Sequence, residues 1–241
     1  MSRLRDKRVF VGGVGPGLGS AVVYLALSEG ARVYAVARSR DFLEGLRRVM
    51  SRFGELHVGV YDLATPEGAQ AAVADAVATL GGLDGVVVTA GGYAETPIEE
   101  LEPAVFEDLL SRNLKSHIYV VKAAVRHLKP GSSVVLVTAV GGAYSAWLRR
   151  HVAYVASKAA LARAVESLAA ELIERGVRVN GVAPGGMTRD FSPGRLASRP
   201  PLGAPQTPPE EVARVIIWLL TDESYWVNGA VIPVDGGRRL L

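Results

Sequence analysis

The chain has no cysteine, so disulfide cross-links, thiolate catalysis and cysteine-held zinc are excluded. Its four histidines are scattered, none in an H-x-x-x-H spacing, so no metal site is expected. No apolar run is long enough to cross a bilayer, and the opening M-S-R-L-R-D-K-R passes straight into the strand-like V-F-V without the apolar core of an export signal. The expectation is a soluble, cytoplasmic protein with no membrane partner. Charge of one sign is also scarce: the net charge is +3 over 241 residues, and the arginines are spread along the chain singly or in pairs. No basic stripe for nucleic acid is present, and a small molecule is the expected partner.

What the sequence does have is apolar residues, 49% of the chain, enough to bury one substantial core. One domain over residues 1–241 is expected. Short β-branched runs at Val9–Val11, Arg32–Ala37, Leu56–Tyr61, Gly85–Thr89, Ser133–Thr138, Arg178–Ala183 and Ala230–Pro233 read as strands, several almost continuously apolar as buried parallel strands are. Helical segments lie between them. Thr65-Pro66-Glu67, Thr96-Pro97-Ile98-Glu99 and Thr207-Pro208-Pro209-Glu210 each offer a Thr cap followed by Pro, and the last two also spell a T-x-x-E capping box. Gly30 and Gly176 are natural helix stops. This alternation predicts an α/β fold: a doubly wound parallel sheet of about seven strands, helices on both faces, with ligands bound beyond the carboxyl ends of the strands. Ser192–Pro209 carries six prolines and two glycines and reads as a surface loop, so residues 189–207 are expected to form a substrate loop or lid of restricted flexibility.

Two local patterns carry chemistry. G-G-V-G-P-G-L-G, Gly12 to Gly19, follows the first strand and opens a helix from about Ser20 to Glu29, so glycine turns and a helix N-terminus can approach a pyrophosphate. In Y-V-A-S-K, Tyr154 and Lys158 stand one helical turn apart on one face, where an ammonium could stabilise a phenolate. Taken alone, that spacing fits a solvated surface pair better.

Together with three further motifs, these patterns make the chain resemble the short-chain dehydrogenase/reductase family over essentially its whole length. The family's T-G-x-x-x-G-x-G loop matches Gly12 through Gly19, with Gly12 in place of Thr, and its Y-x-x-x-K signature matches Tyr154 and Lys158. Its helix asparagine falls on Asn113, its P-G turn on Pro184-Gly185, and its closing strand on Val227 to Gly237. The resemblance implies a single-domain Rossmann fold and a nicotinamide dinucleotide held by Gly13, Gly15, Gly17, Leu18 and Gly19, with the small residues Ala90 and Gly91 letting it approach. Asp62 and Leu63 match the adenine contact. Pro184, Gly185, Met187 and Thr188 border the nicotinamide, although Arg189 rather than Thr188 has the register of the usual carboxamide-binding Thr. The second strand ends in Ala37 where enzymes using NAD place an acid, followed by Arg38 and Ser39, so NADP(H) is expected over NAD(H), with Arg38 and Ser39 on the 2′-phosphate.

The resemblance further implies that Tyr154 is the acid or base of a ketone/secondary-alcohol interconversion. Lys158 would lower its pKa and bind the nicotinamide ribose, and Asn113 would hold a water linking Lys158 to solvent by distorting its helix. A homotetramer is implied, with helices around Pro103–Leu128 and Tyr154–Arg175 at one interface and the C-terminal strand near another.

The chain departs from the family pattern in three places. Val88-Thr89-Ala90-Gly91 replaces N-N-A-G, Ala139 stands where a serine usually helps to hold the substrate carbonyl, and the segment from Ala139 to Tyr154 is one or two residues longer than usual. Thr138, Tyr144 or Ser145 could supply the missing hydroxyl, with Ser145 and Thr138 ranked level. The segments 189–205 and 143–152 should wall the pocket and mix apolar with arginine side chains; arginines facing solvent are the favoured reading, and an anionic substrate with an apolar body is the alternative. Two functions follow: an NADP-dependent carbonyl reductase or alcohol dehydrogenase, possible at reduced rate, and a catalytically impaired dinucleotide-binding protein with a sensing or structural role. Tyr154, Lys158 and Asn113 favour the first, and Ala139 favours the second.

Overall fold

Short strands alternate with helices from one end of the chain to the other: β1 (Arg8–Gly12), α1 (Leu18–Ser28), β2 (Arg32–Ala37), α2 (Arg40–Met50), β3 (Leu56–Val60), α3 (Pro66–Leu80) and β4 (Leu83–Val88) in the first half. The second half runs α4 (Pro103–Leu110), α5 (Ser116–Ala124), β5 (Leu128–Val137), α6 (Val140–Ala143), α7 (Val152–Leu172), β6 (Arg178–Pro184), α8 (Pro209–Leu220) and β7 (Val231–Val234). The computed structural model describes residues 2–144 and 148–241. All seven strands are parallel, in the order β3-β2-β1-β4-β5-β6-β7. The expected doubly wound sheet is therefore present, and each expected strand appears with ends moved by a few residues.

Strand periodicity of two explains the layering. Val9 and Val11 face a core built with α1, α2 and α8, whereas Phe10 between them faces a second core built with α3, α5 and α7. Val134 and Leu136 likewise oppose Val135 and Val137. Each fully buried Val or Leu contributes about 1.5–3 kcal/mol, so both faces of the sheet are held by hydrophobic burial. The asparagines of the two V-N-G sequences fasten the last strand. Asn180 Nδ2 donates to the Val227 carbonyl and its Oδ1 accepts from Ala230 N–H, while Asn228 Oδ1 accepts from Val179 N–H.

Of the expected helix signals, Thr65 caps α3 by accepting from Gly68 N–H at 3.1 Å, and Gly30 and Gly176 adopt positive φ (85° and 65°) beyond helix ends. Two signals are corrected. No helix starts at Thr96: Ile98–Glu100 makes one 3-10 turn and α4 begins at Pro103, because Thr96 N–H is tied to the Arg150 carbonyl at 2.6 Å. Thr207 does not cap α8 either. Pro208 takes that place, Thr207 pairs with Met187 in an isolated parallel bridge, and the expected capping-box acid Glu210 turns elsewhere. Glu210 is buried, and its Oε1 accepts from Ser192 N–H at 2.7 Å and from the Arg195 guanidinium at 3.1 Å. The proline-rich loop, with a 3-10 turn at Pro193–Ala197, is thus anchored to α8. Glu210→Ala leaves the Ser192 amide without its acceptor and should cost about 2 kcal/mol. Urea unfolding together with amide exchange over residues 192–197 checks this, and unchanged midpoint and exchange would contradict the anchoring role.

Candidate active site

The strand order reverses between β1 and β4, and a crevice opens there beyond the carboxyl ends of the strands. The glycine turn lies along it. Gly13 has φ +77°, and a Cβ there would stand 2.3 Å from the Ala90 backbone, so only glycine allows this approach. Around Gly15 the space is open, and a cavity of about 250 Å³ begins, lined by Gly13, Gly15, Ala90 and Gly91. The amides of Leu18 and Gly19 at the start of α1 have no acceptor among the described residues, and no acid occupies the first turn. Such a cradle suits a pyrophosphate, and the residues present fit a dinucleotide. Thr89, in the position of a lost asparagine, maintains the turn: its Oγ1 donates between the Gly12 and Gly13 carbonyls at 3.1 and 3.0 Å.

At the far end the cavity is lined by Ala37, Arg38, Asp62 and Leu63. Arg38 is exposed and forms no salt bridge among the described residues. Ser39 caps α2, its Oγ accepting from Phe42 N–H at 3.3 Å, which leaves its hydroxyl hydrogen free to donate. Asp62 Oδ1 accepts from Ala64 N–H at 3.0 Å, a local turn that orients the acid at the cavity rim. On the other side of the glycine turn, the segment after β6 closes in. A Cβ at Gly17 would meet the Arg189 carbonyl at 2.8 Å, and Phe191 N–H donates to the Pro16 carbonyl at 2.9 Å. Pro184 ends β6, a Cβ at Gly185 would approach Asp235 at 3.0 Å, and Met187 pairs with Thr207. Thr188 Oγ1 is buried without a partner among the described residues.

Tyr154 and Lys158 emerge from the first turns of α7 as the spacing predicts. Lys158 is buried, its Nζ donates to the Val137 carbonyl at 2.8 Å, and a Cβ at Gly91 would lie 3.5 Å from that nitrogen. Lys158 therefore borders the same cradle. Asn113 sits in a π turn, Ser111–Lys115, which is the helix distortion expected for it. Its side chain makes three hydrogen bonds. Oδ1 accepts from Gly92 N–H at 2.7 Å, while Nδ2 donates to the Gly92 carbonyl at 3.1 Å and to Ser157 Oγ at 2.9 Å. One acceptor position of Oδ1 has no partner among the described residues and is available to the expected water.

Burial dominates the electrostatics of the pair. Burial pushes Tyr154 up to about 12, with neighbouring Tyr93 adding to the rise. Lys158 does not offset this, since burial pushes its own pKa down to about 7. The missing serine is not replaced by Thr138, whose buried hydroxyl donates to the Val182 carbonyl at 3.1 Å. Tyr144 donates to the Val231 carbonyl and packs under Arg239. Ser145 lies outside the described residues. Ala139 is buried at the cap of α6.

Sequence reasoning missed Tyr93 and His151. The Tyr93 ring meets Tyr154 edge to face at 5.1 Å between centroids, and its hydroxyl hydrogen-bonds His151 Nε2. Ser157 was also missed, though a lone serine in an alanine-rich helix face beside the dyad was a usable signal.

A doubly wound sheet with a glycine cradle at its switch point and a buried lysine reaching that cradle defines a Rossmann-type oxidoreductase. The chain belongs to the short-chain dehydrogenase/reductase family: a family model described as enoyl-(acyl carrier protein) reductase matches residues 13–239. A cis-4-hydroxycyclohexanecarboxylate dehydrogenase of Sinomonas cyclohexanicum is 32% identical, covering 96% of each chain. A 2-(S)-hydroxypropyl-CoM dehydrogenase of Xanthobacter autotrophicus is 29% identical over all of this chain and 99% of that one. Among solved structures, a dehydrogenase/reductase from Sinorhizobium meliloti superimposes with a TM-score of 0.90 at 28% identity, over 98% of this chain and 96% of that one. The family uses nicotinamide dinucleotides and the chain is an oxidoreductase. No helix of the described residues is long and apolar enough to cross a membrane.

The lowered Lys158 pKa has a sign that can be measured. Between about pH 7 and its ordinary value of 10.5, the unfolded chain holds a proton that the folded chain has released. Unfolding then takes up a proton, so this group makes the protein more stable as pH rises through that window. Relative to Lys158→Met, the wild-type urea midpoint should rise from pH 7 to pH 9. A constant difference between the two proteins would contradict the burial of the ammonium.

Proposed function

We propose that the protein is an NADP(H)-dependent oxidoreductase that interconverts a ketone and a secondary alcohol, with Tyr154 as the acid/base. The observation that carries this reading is Lys158, buried one turn from Tyr154 and bordering the glycine cradle at Gly91. When bound, the nicotinamide supplies the hydride. The protein's own groups do the rest. Leu18 and Gly19 amides would hold the pyrophosphate and Lys158 would hold the nicotinamide ribose, while Asn113 fixes the loop at Gly92 beside the cradle. Burial keeps Tyr154 protonated at neutral pH, so it can give its proton to the carbonyl oxygen in reduction and take one back in oxidation. NADP(H) rather than NAD(H) is supported by Ala37 at the strand end, where no carboxylate opposes a 2′-phosphate, and by Arg38 on the cavity wall.

The substrate side is supported by a second cavity, about 720 Å³, where Ile98, Leu148, Val152 and Val155 meet Arg149 and Arg150. Apolar walls, with Arg149 and Arg150 outnumbering Glu99 on the lining, suit a substrate with an apolar body and an acidic group, the character printed in the name of the cyclohexanecarboxylate relative. One observation favours a second reading, a dinucleotide-binding protein with a sensing or structural role. Ala139 offers no hydroxyl and that of Thr138 is engaged. Fluorescence titration and turnover of a ketone panel separate the readings. NADPH should bind at least tenfold more tightly than NADH, Arg38→Ala should erase that preference, and Tyr154→Phe should bind NADPH normally but lose turnover by a thousandfold or so. Tighter NADH binding would refute the cofactor assignment, and binding without turnover in the wild type would favour the second reading.

A homotetramer is part of the proposal. Ile173 beside α7 and Leu202, Leu240 and Leu241 near the C-terminus are large apolar side chains exposed on the single chain. Light scattering should give about four chain masses, and a clean monomer would contradict it.

A further inference from the structure

We propose that Tyr93 is the second hydrogen-bond donor to the substrate oxygen, the role left open by Ala139, and that His151 is the positioning residue that orients its hydroxyl. The inference rests on the oxidoreductase reading above and adds a residue to it. Tyr93 follows the Ala90-Gly91 cradle, is 67% exposed, and stands with its ring edge-to-face against Tyr154. Its phenol oxygen is close enough to Tyr154 for the two to interact electrostatically. The Tyr154 hydroxyl has no hydrogen-bond partner among the described residues, which leaves it free to meet a carbonyl oxygen.

The hydrogen bonds of His151 fix how Tyr93 can donate. Its Nδ1 faces the Arg149 carbonyl, which can only accept, so Nδ1 carries a hydrogen. In the neutral ring Nε2 is then an acceptor and takes the Tyr93 hydroxyl hydrogen. Once His151 binds a second proton, Nε2–H donates to the Tyr93 oxygen, and the phenol hydrogen is released toward the substrate. The ring is held in place from both sides: Tyr93 lies 5.2 Å from it between centroids, and His151 immediately precedes α7, which carries Tyr154. The charged groups around it are Arg149, Arg150, Glu99 and the Arg150-paired Glu95. In the reaction, hydride adds to the carbonyl carbon, Tyr154 gives its proton to the oxygen, and Tyr93 keeps its own proton while bonding that oxygen.

The test compares wild type with Tyr93→Phe, His151→Gln and Ser145→Ala, measuring NADPH affinity and the pH profile of kcat. The ketones are cyclohexanone, 4-oxocyclohexanecarboxylate, ethyl acetoacetate and phenanthrenequinone. Tyr93→Phe keeps the ring and its packing, so NADPH affinity should be unchanged while kcat falls about a hundredfold, as expected for one lost preorganised donor. His151→Gln can present an amide N–H to Tyr93 without ionising, so it should retain turnover while removing from the profile any pH dependence that comes from the imidazole, that of Lys158 remaining. A merely structural His151 would not give that result. Wild-type rates in Tyr93→Phe, or loss of turnover in Ser145→Ala with Tyr93→Phe unaffected, would overturn the proposal. So would a wild type that binds NADPH and reduces none of the ketones, since a site with two donors is a working site. A wild type that binds neither NADPH nor NADH refutes the underlying cofactor reading instead.

Discussion

The amide of Asn113 is the contact on which the site depends. Its two ends pair with both polar groups of the Gly92 peptide and with Ser157 Oγ, and Ser157 in turn donates to the Tyr154 carbonyl at 2.7 Å. One buried side chain thereby joins the loop after β4, the π turn between α4 and α5, and the first turns of α7. A regular helix would carry residue 113 at a different angle around its axis, because a π turn adds a residue to the repeat. The distortion is a local cost that lets an amide face a peptide it matches in both directions. Removing it leaves a partly buried N–H and C=O of Gly92 without partners, a penalty of up to about 1–3 kcal/mol each, before any loss of alignment.

That clasp explains why Lys158 tolerates burial. Holding α7 against the end of β5 places Nζ on the Val137 carbonyl, so the ammonium retains one hydrogen bond although its pKa has fallen to about 7. An amine in that state is ready to be recharged by an anionic ligand, since a nearby negative charge raises its pKa again. Tyr154 experiences the same burial with the opposite protonation outcome. The low-dielectric pocket therefore prepares both neutral forms, a phenol able to donate and an amine able to take up a proton when the cradle fills. Lysine control of the phenol is a property of the liganded site rather than of the chain alone.

How much of this was readable in the sequence follows from the range of each interaction. Strands, the sheet and the glycine turn are written in local patterns of period two and in glycine spacing, and they appear as expected. Tyr154 with Lys158 was also local, four residues apart. Thr207 and Glu210 failed because a valid local motif was overruled by distance: Glu210 found the Ser192 amide and Arg195 across the loop, worth more to it than the cap. Thr89 and Ser157 were hidden for a similar reason, as their partners are 76 or 77 and 44 residues away. The π turn at Asn113 was foreseeable only through family resemblance, because the bare sequence of that helix gives no sign of it.

The Ala139 position shows how a local loss can be answered by a non-local gain. Reading along the chain, the hydroxyls nearest in sequence are Thr138, Tyr144 and Ser145, and the first two are spent on backbone carbonyls of β6 and β7. Spending them there is sound chemistry, since an unpaired buried hydroxyl costs more than the bond it forgoes with an absent ligand. A donor for catalysis must meet the opposite condition: it has to be held without being used up. Tyr93 meets it because its partner is an imidazole, whose second proton reverses the direction of the bond and returns the hydroxyl hydrogen. A backbone carbonyl can never do that, and this difference, more than proximity to Tyr154, separates Tyr93 from the hydroxyls that the sequence put forward.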